Sequence, residues 1–405
     1  MKKPAVPVAV LLLVLTVTEA LGGGGDRTVS LGLLALGATA RPSSYSGEYR
    51  RILLAALGGA LVVAVTQAST VPAFVAVVSV SAVVAGEAAA TVVEDEQAGS
   101  FVFSVVGGFV GAGAGVFATG SASGPVVATT AFAVFTAVTA RSTGASIWLT
   151  IVIAGLGGWT AAFVEPSGSV VFIVGAAVFV VALAVGANVA DAMTVSGSCG
   201  GALLSYVVLV AGGLGWFAVL AVFVVTGTAT TRYGRDRKEE IGLADHDRGR
   251  GFRNVFANGT VAFVAVVAHA VTSSPTVESF AVLGFVGCMA TATADTASSE
   301  IGSVAGKPRL ITTLEPVPPG TDGGVSWQGE VITVAASVSV GIVAYLVGVL
   351  PVEGAAVAAL GGIAGAHADS FLGATVEGWL LDNEGVNLSA CVVGALTAGA
   401  FGYLF

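Results

Sequence analysis

Residues 277–302 read VESFAVLGFVGCMATATADTASSEIG. From Val277 to Ala294 the only charge is Glu278, and most positions are small or apolar. A run of about 17–20 such residues is long enough to cross the hydrocarbon core of a bilayer as a helix. The frequent Gly, Ala and Thr suit a helix that packs against others in lipid, where small side chains let backbones approach. Two carboxylates, Asp295 and Glu300, then close the run. Ionisable groups at such a depth are costly in a bilayer and mark function more often than structure.

Working outward, the same kind of run recurs at 52–67, 72–93, 101–117, 146–164, 170–187, 255–270, 331–350, 355–372 and 386–405, with weaker ones at 4–21, 29–40 and 126–140. The stretch 196–228 is too long for one crossing. Gly212 and Gly213 divide it into two short halves, which predicts a tight hairpin or a re-entrant pair. The expected fold is therefore all-α, a polytopic transmembrane helical bundle of about 13–15 membrane segments including the Gly-split hairpin.

Composition agrees. The 405 residues are only 10% charged, against about 25% in soluble domains, and mean hydropathy is +0.93. The 57 glycines fit close helix packing in lipid. A net charge of −9 with no basic stripe argues against a nucleic-acid partner. Cys199, Cys288 and Cys391 have neither metal nor redox spacing and read as small buried residues. Lys2 and Lys3 before an apolar run allow a signal peptide. Further apolar runs follow directly and no convincing cleavage site appears, so a first membrane helix is the better reading.

Seven of the 16 Lys and Arg residues lie between Arg232 and Arg253. By the positive-inside rule that loop is cytoplasmic. Threading the spans in order puts the polar segments 295–330 and 369–385, and the N-terminus, on the same inner side of a cell membrane. The chain divides at about 185. Residues 1–185 form an N-terminal membrane domain of unknown role, whose one charge run is Glu94, Asp95 and Glu96. Residues 186–405 carry the polar loops.

Three constellations there can carry chemistry. Arg253, Asn254 and Asn258 sit where a helix enters lipid, and buried amides need partners. Arginine forks suit phosphate oxygens. Asp295 and Glu300 are five residues apart, about 140° beyond a full turn, so a straight helix does not bring them to one face. Either the helix breaks and both reach one Mg²⁺, or Asp295 pairs with Ser299 and Glu300 points elsewhere. Asp369 ends another small-residue helix in the same way. Two such carboxylates on neighbouring helices are what a Mg²⁺–phosphate site requires. Lys307 and Arg309 lie in a Gly-rich loop suited to phosphates. It is not a Walker A loop, because the spacing is one residue short and Pro308 stands where Ser or Thr would hold the metal. His367 could serve as a base, although a lone His near a helix end is more often a hydrogen-bonded structural residue, and Asn383 and Asn387 either cap the last helix or join the site.

These segments also resemble a family of multipass membrane proteins found in archaea, bacteria and eukaryotes. Its plant and cyanobacterial members include phytyl-phosphate kinase. The likeness is carried by Ser196, Gly197, Leu203 and Leu204, by TRY at 231–233, by Arg253, Asn254 and ANG at 257–259, and by ADT at 294–296 with SEIG at 299–302. It continues through PRLITT at 308–313, PGT at 319–321 and GGVS at 323–326, then Asp369, Ser370 and GAT at 373–375, and finally Asp382, Asn383, Val386 and Asn387. It covers about 187–405.

The resemblance implies transfer of a phosphoryl group from a nucleotide, CTP by preference, to an isoprenyl monophosphate held in the membrane. Asp295, Glu300 and Asp369 would then bind Mg²⁺ as the catalytic set. Arg253, Lys307, Arg309, Asn254 and Asn258 would hold phosphates, with Asp382 and Asn387 orienting them. A transporter or lipid-translocating protein using intramembrane Asp and Glu is the alternative, and its polar groups would lie near the midplane. A structural scaffold would have no need of Asp295 or Asp369.

Overall fold

A computed structural model describes residues 73–90, 170–242 and 250–404, with scattered positions between 103 and 137. The expected spans at 4–21, 29–40, 52–67 and 146–164, most of 126–140, the acidic run at 94–96 and the N-terminal lysines lie outside the described residues. The chain forms two compact units, Met1–Val185 with Ser198–Leu203, and Gly186–Gly197 with Leu204–Phe405. In the first, helix α1 (Ala73–Ala90) buries Ala82, Val83 and Ala90 with Phe103, Ala133, Val134 and Ala137. Gly107 lets backbones meet there, since a Cβ would stand 2.6 Å from the Ala82 carbonyl oxygen.

The fold is all-α, and seven helices among the described residues are long and apolar enough to cross a membrane. After α2 (Val170–Val189) comes Val195–Arg232, which as one rod would measure roughly 57 Å, almost twice the hydrocarbon core. It is not one rod. Helix α3 (Val195–Val207) runs on through a π-helical segment, Val208–Gly212, to Gly213. There φ is +83°, a conformation that glycine alone adopts without strain. Helix α4 (Gly213–Arg232) returns.

Both feet of this hairpin meet Arg250. The Arg250 N–H donates to Ala192 O (3.1 Å), and its carbonyl accepts from Thr194 N (3.2 Å) and packs against Gly197. Its guanidinium lies against Gly227 and Thr231, at the end of α4. The apex meets the opposite end of the unit, where Gly215 packs on Val347 and Val349. The chain folds back at Gly213 as expected, but neither as a tight hairpin nor as short halves. One arm has 13 residues plus a 5-residue π segment and the other has 20, enough for each to cross fully.

The short α5 (Arg235–Glu240) leads to α6 (Phe252–Val271) and α7 (Pro275–Ala305). A two-residue antiparallel ladder, β1 (Arg309–Leu310) with β2 (Gly324–Val325), precedes α8 (Trp327–Leu346), α9 (Val352–Thr375) and α10 (Asn383–Leu404).

Helix α7 is the hub. Gly362 on α9 stands so close that a Cβ would fall 2.5 Å from Ala290 Cβ and 2.8 Å from Ser337 Oγ of α8. Thr291 keys into the space left by Gly365 on α9 and Gly394 on α10. Its hydroxyl is satisfied within its own helix by Gly287 O, 2.9 Å away. Large residues face outward instead: Val331, Val334, Val338 and Ile342 form an exposed stripe along α8, while Thr333, Ala336, Ser337 and Gly341 face in. Small and polar inside, bulky and apolar outside, is the arrangement lipid favours.

Candidate functional site

The polar segments of the second unit gather at one end. The turn at Gly323, with φ +72°, seats on the end of α9, where a Cβ would lie 2.5 Å from Ala374 Cβ. Arg253 at the start of α6 pairs with Asp382 and, at 3.4 Å, with Glu384 at the start of α10. Lys238 of α5 reaches Glu300 of α7. Exposed Trp327 and Trp379 stand at this same end, where amphipathic rings mark a membrane–water boundary.

Asp295 of α7 and Asp369 of α9 lie side by side, with their carboxyl groups in hydrogen-bonding reach of each other. Each owes its place to the glycine packing described above. From the level where Ala290, Ser337 and Gly362 meet, which is near the midpoint of α8, they are five and seven residues along their helices. That is about 7–10 Å toward the polar end. Ser299 Oγ donates to Asp295 O at 2.8 Å and lies 3.5 Å from Oδ1. Among the described residues Asp369 Oδ1 is buried with no hydrogen-bond partner. Two carboxylates this close need a proton or a cation between them.

Of the two arrangements the spacing allows, α7 takes the unbroken one. Glu300 turns away from the pair: Lys238 Nζ donates to its Oε2 at 2.6 Å and Thr231 Oγ1 to its Oε1 at 2.9 Å. Lys238 is buried and spends its other protons on Thr230 O and Thr231 O. Among the described residues no three His, Cys, Asp or Glu side chains gather to cage a metal. The carboxylate pair fits the other mode, in which Mg²⁺ takes one or two carboxylates and fills its remaining positions with phosphate oxygens and water.

Around the pair stands a ring of charge. Asp322 and Glu377 act on Asp369, and burial together with Asp322, Asp295, Asp382 and Glu384 holds the Glu377 carboxyl above its usual range. Asp382 is held below that range by the Gly385 N–H and by Arg253, and its Oδ1 caps α10 at 2.9 Å from that N–H. Lys307 and Arg309 are exposed, and Arg309 donates to Leu314 O at 2.7 Å. Asn258 is buried and donates to Asn254 O at 3.0 Å, one turn back. Asn387 is buried at the second turn of α10. His367 faces acceptors with both ring nitrogens, Ile363 O at 2.8 Å and Glu330 Oε2 at 3.0 Å.

Two features escape sequence reasoning. Arg250, one of seven basic residues in its loop, is drawn inward beside Asp295 and Glu300. Cys288 and Cys391, alone in their sequence runs, are brought together by α7 and α10, both thiols aimed at Asn258 O (3.7 and 3.9 Å). Only the Gly-flanked position of Arg250, and the small residues around each cysteine, hint at this in the sequence.

Comparison with known proteins bears on the same region. The family described as "Integral membrane protein DUF92" matches residues 178–395. An uncharacterized membrane protein of Synechocystis is 36% identical over 199 residues, covering 47% of this chain and 76% of that one. An uncharacterized membrane protein of Methanocaldococcus jannaschii is 33% identical over 203 residues, 49% of this chain and 82% of its own. The Arabidopsis thaliana protein VTE6, chloroplastic, is 31% identical over 217 residues, 51% of this chain and 64% of its own. No solved structure matches the chain.

Proposed function

The chain belongs to the DUF92 family of integral membrane proteins, and from that membership we propose that it transfers a phosphoryl group from a nucleotide, CTP by preference, to an isoprenyl monophosphate. The relation to VTE6 supports a prenyl-phosphate-kinase-like role. The observation that carries the reading is the Asp295–Asp369 pair, set below the polar end, with Arg250 acting on Asp295 and with Arg253 and the loop carrying Lys307 and Arg309 at that same end of the helices. In this reading the polar end faces the cytoplasm of a cell membrane, where the nucleotide is, and the lipid phosphate enters from the inner leaflet.

Phosphoryl transfer requires cations and alignment more than a covalent nucleophile. An oxygen of the ionised isoprenyl monophosphate forms a bond to the γ-phosphorus. The bond from that phosphorus to the bridging oxygen breaks, and CDP leaves with the electron pair on its β-phosphate. The attacking oxygen carries no proton, so no general base is required. Mg²⁺ bound by Asp295 and Asp369 would neutralise charge on the transferring oxygens. Arg253, Lys307 and Arg309 would hold the polyphosphate, and Asn254, Asn258, Asp382 and Asn387 would order the start of α6 and α10 around it. Glu300 contributes through Lys238, fixing α5 and α4 to α7. The pair lies off the level of the α8 midpoint, which weighs against a midplane transport site.

The test is incubation of purified protein with Mg²⁺, CTP or ATP, and geranylgeranyl or phytyl monophosphate. The isoprenyl diphosphate is the expected product; its absence with every nucleotide, from folded protein, would remove the reading.

A further inference from the structure

The backbone of Arg250 is structural, tied to Ala192 and Thr194, whereas its guanidinium has the features of a ligand-binding cation. A guanidinium has five N–H donors. Among the described residues its only side-chain hydrogen bond is from Nη2 to Thr231 Oγ1, at 3.3 Å. Yet the group is half-buried, and withdrawal from water pulls its pKa below the ordinary arginine range while Glu300 and Asp295 push it back. Structural charges so placed are normally saturated, as Lys238 is by its three acceptors.

The fold also reserves space for it. Gly227 stands where a Cβ would fall 2.9 Å from Nη1, the Phe223 ring lies 5.8 Å from Cζ, and the Arg250 backbone is pinned between Ala192 and Thr194. Depth agrees. Cys288 of α7 meets Asn258 of α6, and the two helices run in opposite directions. Seven residues further along each, Asp295 stands level with Gly251, at the start of α6, which no side chain caps.

We infer that Arg250 forms, opposite the Asp295–Asp369 pair, an oxyanion site for a phosphoryl group held at membrane depth. Thr231 joins its guanidinium to Glu300, five residues beyond Asp295 on α7, so a phosphate bridging to a carboxylate-bound cation at the pair would present its remaining oxygens within reach of this corner. The site itself rests on geometry; only the assignment of which phosphate it takes rests on the phosphotransferase reading.

The test uses the full chain in nanodiscs with Mg²⁺, titrated separately with inorganic pyrophosphate, CTP and geranylgeranyl monophosphate, with geranylgeraniol as the uncharged control. Two variants displace the group differently: Arg250→Gln removes the charge, and Gly227→Ala crowds the guanidinium while leaving it in place. Each should weaken a phosphate ligand by about tenfold or more without changing geranylgeraniol binding. Arg235→Gln, an exposed charge outside the site, should change nothing. Loss confined to CTP assigns the site to the donor; loss confined to the lipid phosphate assigns it to the acceptor. Pyrophosphate binding that depends on Arg250, in a protein that turns over no substrate, keeps the site and removes the kinase reading. Turnover with unchanged affinities in both folded variants removes the site and keeps the reading. A wild-type protein that binds no phosphate ligand removes both.

Discussion

Two clusters of charge withdrawn from the surface, both anchored on α7 and five residues apart, are solved in opposite ways. At Glu300 the carboxylate meets Lys238, whose three protons all find acceptors, and Thr231 completes the set. At Asp295 the neighbour is another carboxylate, and among the described residues Asp369 Oδ1 has no hydrogen-bond partner and the nearby Arg250 side chain has one, Thr231. The first is a closed knot that holds helices together. The second is left incomplete by the protein, and a chain that has folded around unsatisfied charge has a use for it. Burial alone does not separate the two; saturation does.

The strongest way to break this contrast is to neutralise the open cluster. Asp295→Asn and Asp369→Asn should each lower turnover about 100-fold or more, since a metal-borne interaction provides several kcal/mol. Folding should survive, because like charges are being removed; isoprenyl diphosphate formation and size-exclusion profiles measure the two. Full activity in both variants would mean the pair is not the metal site. The closed cluster should respond in reverse. Lys238→Met strands Glu300 and should destabilise the protein by about 3–5 kcal/mol, with Glu300→Leu in the same chain recovering much of it. Thermal unfolding in detergent reads this, and a Lys238→Met protein as stable as wild type would dissolve the distinction.

A smaller effect sharpens the contrast at the rim. Burial and neighbouring carboxylates raise the pKa of Glu377 above that in the unfolded chain. The folded state is therefore favoured while Glu377 is protonated, and it loses that advantage as pH rises through the raised value. Glu377→Gln should be more stable than wild type at neutral pH, and the difference should close at a pH below about 4, where free glutamate is also protonated. An equal gain at every pH would exclude ionisation as its cause. The smallest change belongs to Arg253 and Asp382, an exposed pair. Arg253→Ala should leave the unfolding midpoint within the scatter of surface substitutions. Any larger shift would mean that the start of α6 is held by more than the fold shows.

Much of this was legible in the chain because lipid imposes simple arithmetic. Length and hydropathy mark the spans, and Gly212–Gly213 inside an overlong run marks the fold-back. Asp295 and Asp369 stand out because a carboxylate after a run of small residues is rare and costly in a bilayer. What stayed hidden depends on pairings across distance. Lys238 and Glu300 are separated by 62 positions, and nothing local says that a lysine in a charged run is buried. Arg250 is masked by its neighbours, since a basic loop already has a sufficient explanation in topology. Cys288 and Cys391 meet only because Thr291, three residues beyond Cys288, keys into glycines that set the spacing of α7 and α10.

The fold-back has a consequence for how the protein is made. Both arms of the Val195–Arg232 hairpin leave the ribosome before Arg250 does, yet Arg250 is the residue that meets both feet. The contacts that Arg250 makes with the two feet therefore cannot form while the arms are being made. Only after some eighteen further residues beyond Arg232 have been synthesised can one backbone strap and one side chain draw the ends together. A nascent chain stalled before that point would hold its glycine apex but not the closure of its feet by Arg250.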